Sequence, residues 1–245
     1  MPLGIVIVMA KAPVAGFVKT RLCPPLTPGQ ASRLAAAFAI DTLAMLAGLG
    51  DLEVRLALDG GPDRAAVAEA EGQAGGEAPG EIEEMEAFAR RHGVEVEDQG
   101  GGDLGRRMER LMARGLAEGL PTVLVGTDCP DLAPAAVRAA FAALGRVDAV
   151  LVPVRDGGYV LVGARRPVAG LFTIDAAWSS DRVFEATRDA LVRSGGTFEA
   201  LDEYDDVDDA AALGRLAARL GDGDAAVAPR TAALLGEWRR EGVRF

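Results

Sequence analysis

Residues 4–22 read GIVIVMAKAPVAGFVKTRL. Gly4 to Met9 reads as a strand. The loop after it holds the only two lysines of the chain, Lys11 and Lys19, while every other Lys/Arg position is arginine. In a chain that alternates strands and helices, the loop leaving the first strand is where a doubly wound sheet binds phosphates. This loop is not the usual phosphate fingerprint. It has one glycine, Gly16, so neither G-x-G-x-x-G nor G-x-x-x-x-G-K-[ST] is present. What remains is a turn stiffened by Pro13, opened at Gly16 and carrying Lys11, Lys19 and Arg21. Lysine is a compact point charge on a flexible stem, suited to a diphosphate whose charge moves between oxygens. The competing reading is a loop whose lysines only meet solvent.

The pattern continues outward from this loop. Thr27-Pro-Gly-Gln opens a helix with Thr27 as N-cap and Gln30 completing a capping box, and apolar spacing carries it to about Gly48. Strands are expected at 53–58, 94–97, 122–126, 149–154 and 159–163. Helices are expected at 81–91, 104–118, from near Pro134, at 181–193, 208–220 and 230–240. Residues 60–80, rich in Gly, Ala and Glu, read as a variable surface stretch. No internal repeat or domain boundary is visible, so residues 1–245 are expected to form one α/β domain around a mostly parallel sheet. Ligands are then expected at the carboxyl ends of its strands.

Composition removes several functions. The net charge of −11 argues against a nucleic-acid partner but not against a single nucleotide. The sole histidine, His92, and two cysteines, Cys23 and Cys129, argue against a Ser-His-Asp triad, a histidine-rich zinc site and a disulfide framework. Any metal is therefore expected to be Mg²⁺ or Mn²⁺ on carboxylates. No apolar run is long enough to span a bilayer and no signal-peptide pattern opens the chain, so a cytoplasmic location is expected.

Three further loops carry candidate chemistry. In VGTDCPDL (125–132), Asp128 is the main candidate metal ligand, while Asp131 reads as a helix N-cap. In RDGGYVLVG (155–163), the Asp156-Gly-Gly turn is a hairpin signal. Asp156, Gly157 and Gly158 could also contact a ligand there. In YDDVDD (204–209), four aspartates fall within five residues and repel one another unless a cation or solvent relieves them. Asp208 is the expected cap of the next helix. Asp206 or Asp208 would meet Asp128 across a cleft as metal ligands, with a solvated acidic surface as the alternative. QGGGDLGRRM (99–108) is a glycine-rich loop feeding a helix and could shape the cleft.

AKAPVAGFVKTRL, QGGGDLGRRM, VGTDCPDL, RDGGYVLVG, the Phe172–Trp178 stretch and YDDVDD, in this order, resemble bacterial nucleotide-diphospho-sugar transferase-like proteins. These are described as radical-SAM/selenodomain-associated transferases or arsenosugar-biosynthesis glycosyltransferases, and the resemblance runs from about residue 3 to 220. It implies a GT-A nucleotide-diphospho-sugar transferase fold, a three-layer α/β/α arrangement. By the same resemblance Lys11, Lys19 and Arg21 face the nucleotide phosphates and Asp128 matches the metal-binding aspartate. Asp156, Gly157 and Gly158 match the acceptor or sugar region, and Asp206 and Asp208 the late D-x-D. The chain departs from the pattern at Phe17, at Ala210 to Ala212 and at Val152-Pro-Val.

The resulting expectation is a metal-dependent glycosyltransferase using a nucleotide-sugar donor and a small-molecule acceptor. Lys19 and Asp156 are its candidate catalytic groups, since His92 at a helix end is a poor base. The alternatives are a nucleotidyltransferase, because Lys-Thr-Arg-Leu resembles the Lys-Ser-Arg-Leu of phospholactate guanylyltransferases, and a non-catalytic nucleotide-binding protein.

Overall fold

The computed structural model describes residues 2–59, 80–178, 180–221 and 224–245. Seven strands form one sheet: β1 Ile5–Ala10, β2 Glu53–Leu58, β3 Glu95–Asp98, β4 Thr122–Gly126, β5 Ala149–Pro153, β6 Tyr159–Ala164 and β7 Phe198–Ala200. Their spatial order is β3-β2-β1-β4-β6-β5-β7. Only β6 runs against its neighbours β4 and β5; the other pairs are parallel. The helices are α1 Pro28–Ala47, α2 Glu81–Arg91, α3 Leu104–Ala117, α4 Pro134–Leu144, α5 Val183–Arg193, α6 Ala210–Gly221 and α7 Pro229–Arg240.

The sheet is covered on both faces, which is why its strands read as nearly unbroken apolar runs. Alternation along β1 sends Val6 and Val8 to one face, where they meet Ile40 and Leu43 of α1, Met85 of α2 and Phe141 of α4. Ile5 and Ile7 go to the other face with Met108 and Leu111 of α3 and Leu191 of α5. These three layers are the arrangement the resemblance implies. A third apolar cluster joins the outer side of α1 to α6 and α7, with Phe38 and Trp238 fully buried in it. Asp41, buried inside α1, accepts from the Arg230 and Thr231 N–H groups at 3.1 and 2.9 Å. It thereby caps α7, whose own N-cap Ala228 has no side-chain acceptor.

Local signals explain the element boundaries. Thr27 Oγ1 accepts from Gln30 N at 3.2 Å and Gln30 Oε1 accepts from Thr27 N at 2.9 Å, completing the expected capping box of α1. Helix α6 starts at Ala210 rather than at 208 because Asp209, not Asp208, supplies its cap, accepting from Ala212 N at 2.8 Å. Asp131 does not cap α4 either; Ala133 precedes that helix and Asp131 pairs with Arg219. Strand β7 was not expected, since three residues are too few for a period to show. Of the expected surface stretch, residues 60–79 lie outside the described residues. Among the described residues, no helix is long and apolar enough to cross a membrane.

The sheet order positions the site. From β1 the chain builds outward through β2 and β3 on one side, while β4 lies on the other. The loops leaving β1 and β4 therefore diverge and open a crevice at the carboxyl edge. Because β4, β5 and β7 share a direction, the turn after β5 and the segment after β7 reach the same edge.

Candidate active site

Backbone hydrogen bonds stitch these loops together. Val207 N donates to Asp128 O at 2.9 Å, joining the segment after β7 to the loop after β4. Tyr204 N donates to Pro153 O at 2.9 Å and Arg155 N to Tyr204 O at 3.2 Å, joining it to the turn after β5. Asp128, Asp156, Asp206 and Asp208 are thus brought to one place from three loops.

Lys19 enters this cluster from the loop after β1. Its Nζ lies 2.6 Å from Asp128 Oδ1 and 3.2 Å from Asp208 Oδ1, and donates to Val207 O at 2.6 Å. The side chain is 8% exposed and its ammonium lies 5.6 Å from the centre of the Phe38 ring. Burial alone would lower the Lys19 pKa; the charges of Asp128 and Asp208 and their hydrogen bonds outweigh it and raise the pKa.

Asp156, Asp206 and Asp208 each offer a carboxylate oxygen, and the three atoms lie within 4.8 Å of one another. Asp206 is 9% exposed. Burial first, and then the charges of Asp156, Asp208 and Asp128, push its pKa up to about 6. A hard cation prefers this donor set, all carboxylate oxygen and none of it nitrogen or sulfur. Unrelieved repulsion around a buried carboxyl is the electrostatic mark of a place where positive charge is favoured. Asp156 is exposed, and one of its oxygens accepts from Gly158 N at 2.8 Å. Asp128, half exposed and held by Lys19, is outside this triad.

Two other aspartates of this region, Asp205 and Asp131, are held by arginine. Asp205 accepts from Arg215 Nε and Nη2 at 2.8 and 2.7 Å and from Arg219 Nη1 at 2.9 Å, with Asp131 on Arg219 Nε at 2.8 Å. The Arg215 hydrogen bonds in particular lower the Asp205 pKa to about 2.

The remaining candidates divide. Lys11 is exposed and makes no ion pair among the described residues. Arg21, also exposed, reaches within 3.9 Å of Asp208. Gly16, with φ 81°, forms the turn between them. Gly157 has φ 88°, and a Cβ there would lie 1.9 Å from the carbonyl oxygen of Asp181. Its own carbonyl accepts from Phe184 N at 2.8 Å, so Gly157 packs the turn against the start of α5. His92 stacks on Phe88 with ring centres 4.0 Å apart.

Sequence reading singled out the 99–108 loop and the Phe172–Trp178 stretch but missed that they meet in a cleft of about 730 Å³, lined by Asp103, Arg106, Glu109 and Arg110 on one side and by Phe172, Ile174 and Trp178 on the other. Its signal was Gly105, where a Cβ would lie 2.4 Å from the Trp178 indole nitrogen. Asp181, three positions after Trp178, sets its backbone against the Asp156 turn at Gly157. Buried Gln99 was missed as well; its Nε2 donates to Ala10 O and Ala57 O at 3.0 Å each, tying the ends of β1 and β2.

Residues 42–180 match a family model described as an uncharacterized protein conserved in bacteria (DUF2064). The chain belongs to that family. Its matched segment contains Asp128 and Asp156, while Lys19, Asp206 and Asp208 lie outside it. No curated protein matches the sequence of this DUF2064 chain. Among solved structures, a proposed nucleotide-diphospho-sugar transferase from Desulfovibrio desulfuricans G20 is 27% identical. It superposes with a TM-score of 0.79 over 97% of this chain and 95% of that one. A nucleotidyl transferase from Methanothermobacter thermautotroptrophicus, 13% identical, superposes with a TM-score of 0.52 over 89% and 98%. That second likeness is one of fold alone. The α/β/α architecture is accordingly the nucleotide-diphospho-sugar transferase fold expected from the sequence.

Proposed function

We propose that this chain, acting as one domain, is a metal-dependent glycosyltransferase that takes a nucleotide-diphosphate sugar and a small-molecule acceptor. The observation that carries the reading is the Asp156–Asp206–Asp208 triad at the carboxyl edge, with Asp206 pushed up to about 6. Support comes from the 27% identity to the Desulfovibrio protein across nearly the whole chain. Mg²⁺ or Mn²⁺ held by Asp156, Asp206 and Asp208 would supply positive charge to a leaving diphosphate. Asp156 then serves as a ligand rather than a base, and Asp128 supports the cluster through Lys19. Lys11 and Arg21, exposed on either side of Gly16, are the cations free to meet the phosphates. The acceptor is assigned to the cleft beside Trp178. The net charge of −11 favours small-molecule partners over nucleic acid.

The test is a panel of nucleotide sugars with Mn²⁺, followed by donor hydrolysis and by calorimetry. The expected result is binding and slow hydrolysis of one donor class, abolished by EDTA. Folded protein that binds none of them overturns the reading. Pyrophosphate release from a nucleoside triphosphate would instead make the protein a nucleotidyltransferase. Binding without turnover on any panel would make it a nucleotide-binding protein.

A further inference from the structure

We infer that Lys19 is not a phosphate ligand but a built-in counter-cation, a positioning residue that assembles the carboxylate cluster and limits it to one divalent ion. The inference rests on the metal reading above. Three observations carry it.

The first is saturation. An ammonium has three protons, and Lys19 Nζ has three oxygens around it, from Asp128, Asp208 and the Val207 carbonyl. No donor is left for a phosphate oxygen, and the side chain is 8% exposed. The second is backbone geometry. Lys19 has φ 48°, the only positive φ of a non-glycine residue among the described residues. A side chain is disfavoured in that region, and here it is the conformation from which Lys19 reaches the cluster. The third is connectivity. Lys19 bonds the carbonyl of Val207, whose N–H bonds the carbonyl of Asp128. One ammonium thus pins the loop after β4 to the segment before α6. Asp208 belongs to both groups, paired with Lys19 and counted in the triad.

Lysine is required here for a physical reason. Three oxygens converging on one point suit a compact ammonium, whereas the planar guanidinium of arginine spreads five donors over a fork. Charge gives the second half of the inference. Asp128, Asp156, Asp206 and Asp208 carry four negative charges when ionised; Lys19 offsets one and a single divalent ion offsets two more. Without Lys19, the oxygens of Asp128, Asp208 and Val207 would be free to take a second hard cation.

The experiment compares wild type with Lys19→Ala, Lys19→Arg and Lys19→Gln. Readouts are Mn²⁺ stoichiometry by calorimetry, Tm in EDTA and in Mn²⁺, and affinity for UDP and GDP. The expected result is one Mn²⁺ for wild type and two for Lys19→Ala. The Tm of Lys19→Ala in EDTA should fall by about 5–10 °C, as for loss of one partner of a buried ion pair, and be largely restored by Mn²⁺. Lys19→Arg should fail to rescue either property. If Lys19→Ala does not fold, Lys19→Gln is read by the same two criteria, since it removes the charge while keeping a polar side chain in the same place. The inference is overturned if the alanine or glutamine variant keeps the wild-type Tm and stoichiometry while losing nucleotide affinity tenfold or more, because that is the behaviour of a phosphate ligand. Wild type that binds no Mn²⁺ would refute the metal reading and the one-ion limit. The EDTA Tm values would still decide whether Lys19 is the clamp.

Discussion

Asp205 and Asp206 are neighbours in the chain and opposites in their electrostatics. Asp205 meets two arginines, Arg215 and Arg219, and its pKa is lowered to about 2. Asp206 meets burial and three further carboxylates, and its pKa rises to about 6. Both stand in one acidic run, so local composition cannot explain the difference. The partners do. Arg215 and Arg219 stand four apart on α6, so both fall on one face of it and reach Asp205. Asp206 is left with Asp156, which arrives from the turn after β5, and with Asp208 two residues on in its own segment. An acidic cluster in sequence is therefore two devices in space: an ion-pair clamp that closes the fold, and a carboxylate set proposed above to hold a divalent cation.

The largest expected effect tests the second device. Asp206→Ala should lower Mn²⁺-dependent donor binding or turnover by at least about 100-fold, since a direct ligand outweighs the 10–100-fold effects of groups behind a ligand. Calorimetry with Mn²⁺ checks it, and affinity within threefold of wild type would break the comparison. Smaller, and of another kind, is the effect of Asp205→Asn. Its shift from the ordinary 3.8 to about 2 is worth about 1–2 kcal/mol once discounted for its half-exposed arginine partners. Tm should fall by roughly 2–8 °C, with Mn²⁺ affinity unchanged. A loss of metal affinity without loss of Tm would mean that the two aspartates share a role.

Much of the frame was legible because it is written locally. The capping box at Thr27, the apolar runs of β1 and β4 and the turn at Asp156 need only neighbouring residues to be read. The division of labour among the aspartates was not legible, because each answer lies far along the chain. Asp128 reads as a ligand in the sequence, and nothing near it announces that Lys19, 109 positions earlier, lies against it in the structure. Asp131 read as a cap, but Arg219 claims it. The two lysines also separate in space. Lys11 stays exposed, while Lys19 is drawn inside by carboxylates that no pattern around residue 19 announces. Residues from several loops are combined by topology, and spacing along one loop carries no record of it.

The smallest effect is also the cleanest on sign. An ordinary aspartate near 3.8 ionises in the unfolded chain at a pH where native Asp206, near 6, still holds its proton. Between about pH 4 and 6 the native state therefore binds more protons, and stability of the metal-free protein falls as pH rises. Asp205 runs the other way. Its contribution is complete above about pH 4 and is lost only as pH falls toward 2, so it is constant across the window. Asp41, raised by burial, slopes in the same direction as Asp206 and is removed by taking a difference. The Tm of Asp206→Asn minus that of wild type, in EDTA, should increase by a few degrees from pH 4 to pH 6 and then level off. Mn²⁺ has to displace the Asp206 proton, so its stabilisation of wild type should grow over the same interval. A flat difference would mean that Asp206 is ionised throughout, and the contrast with Asp205 would then be one of partners without an energetic consequence.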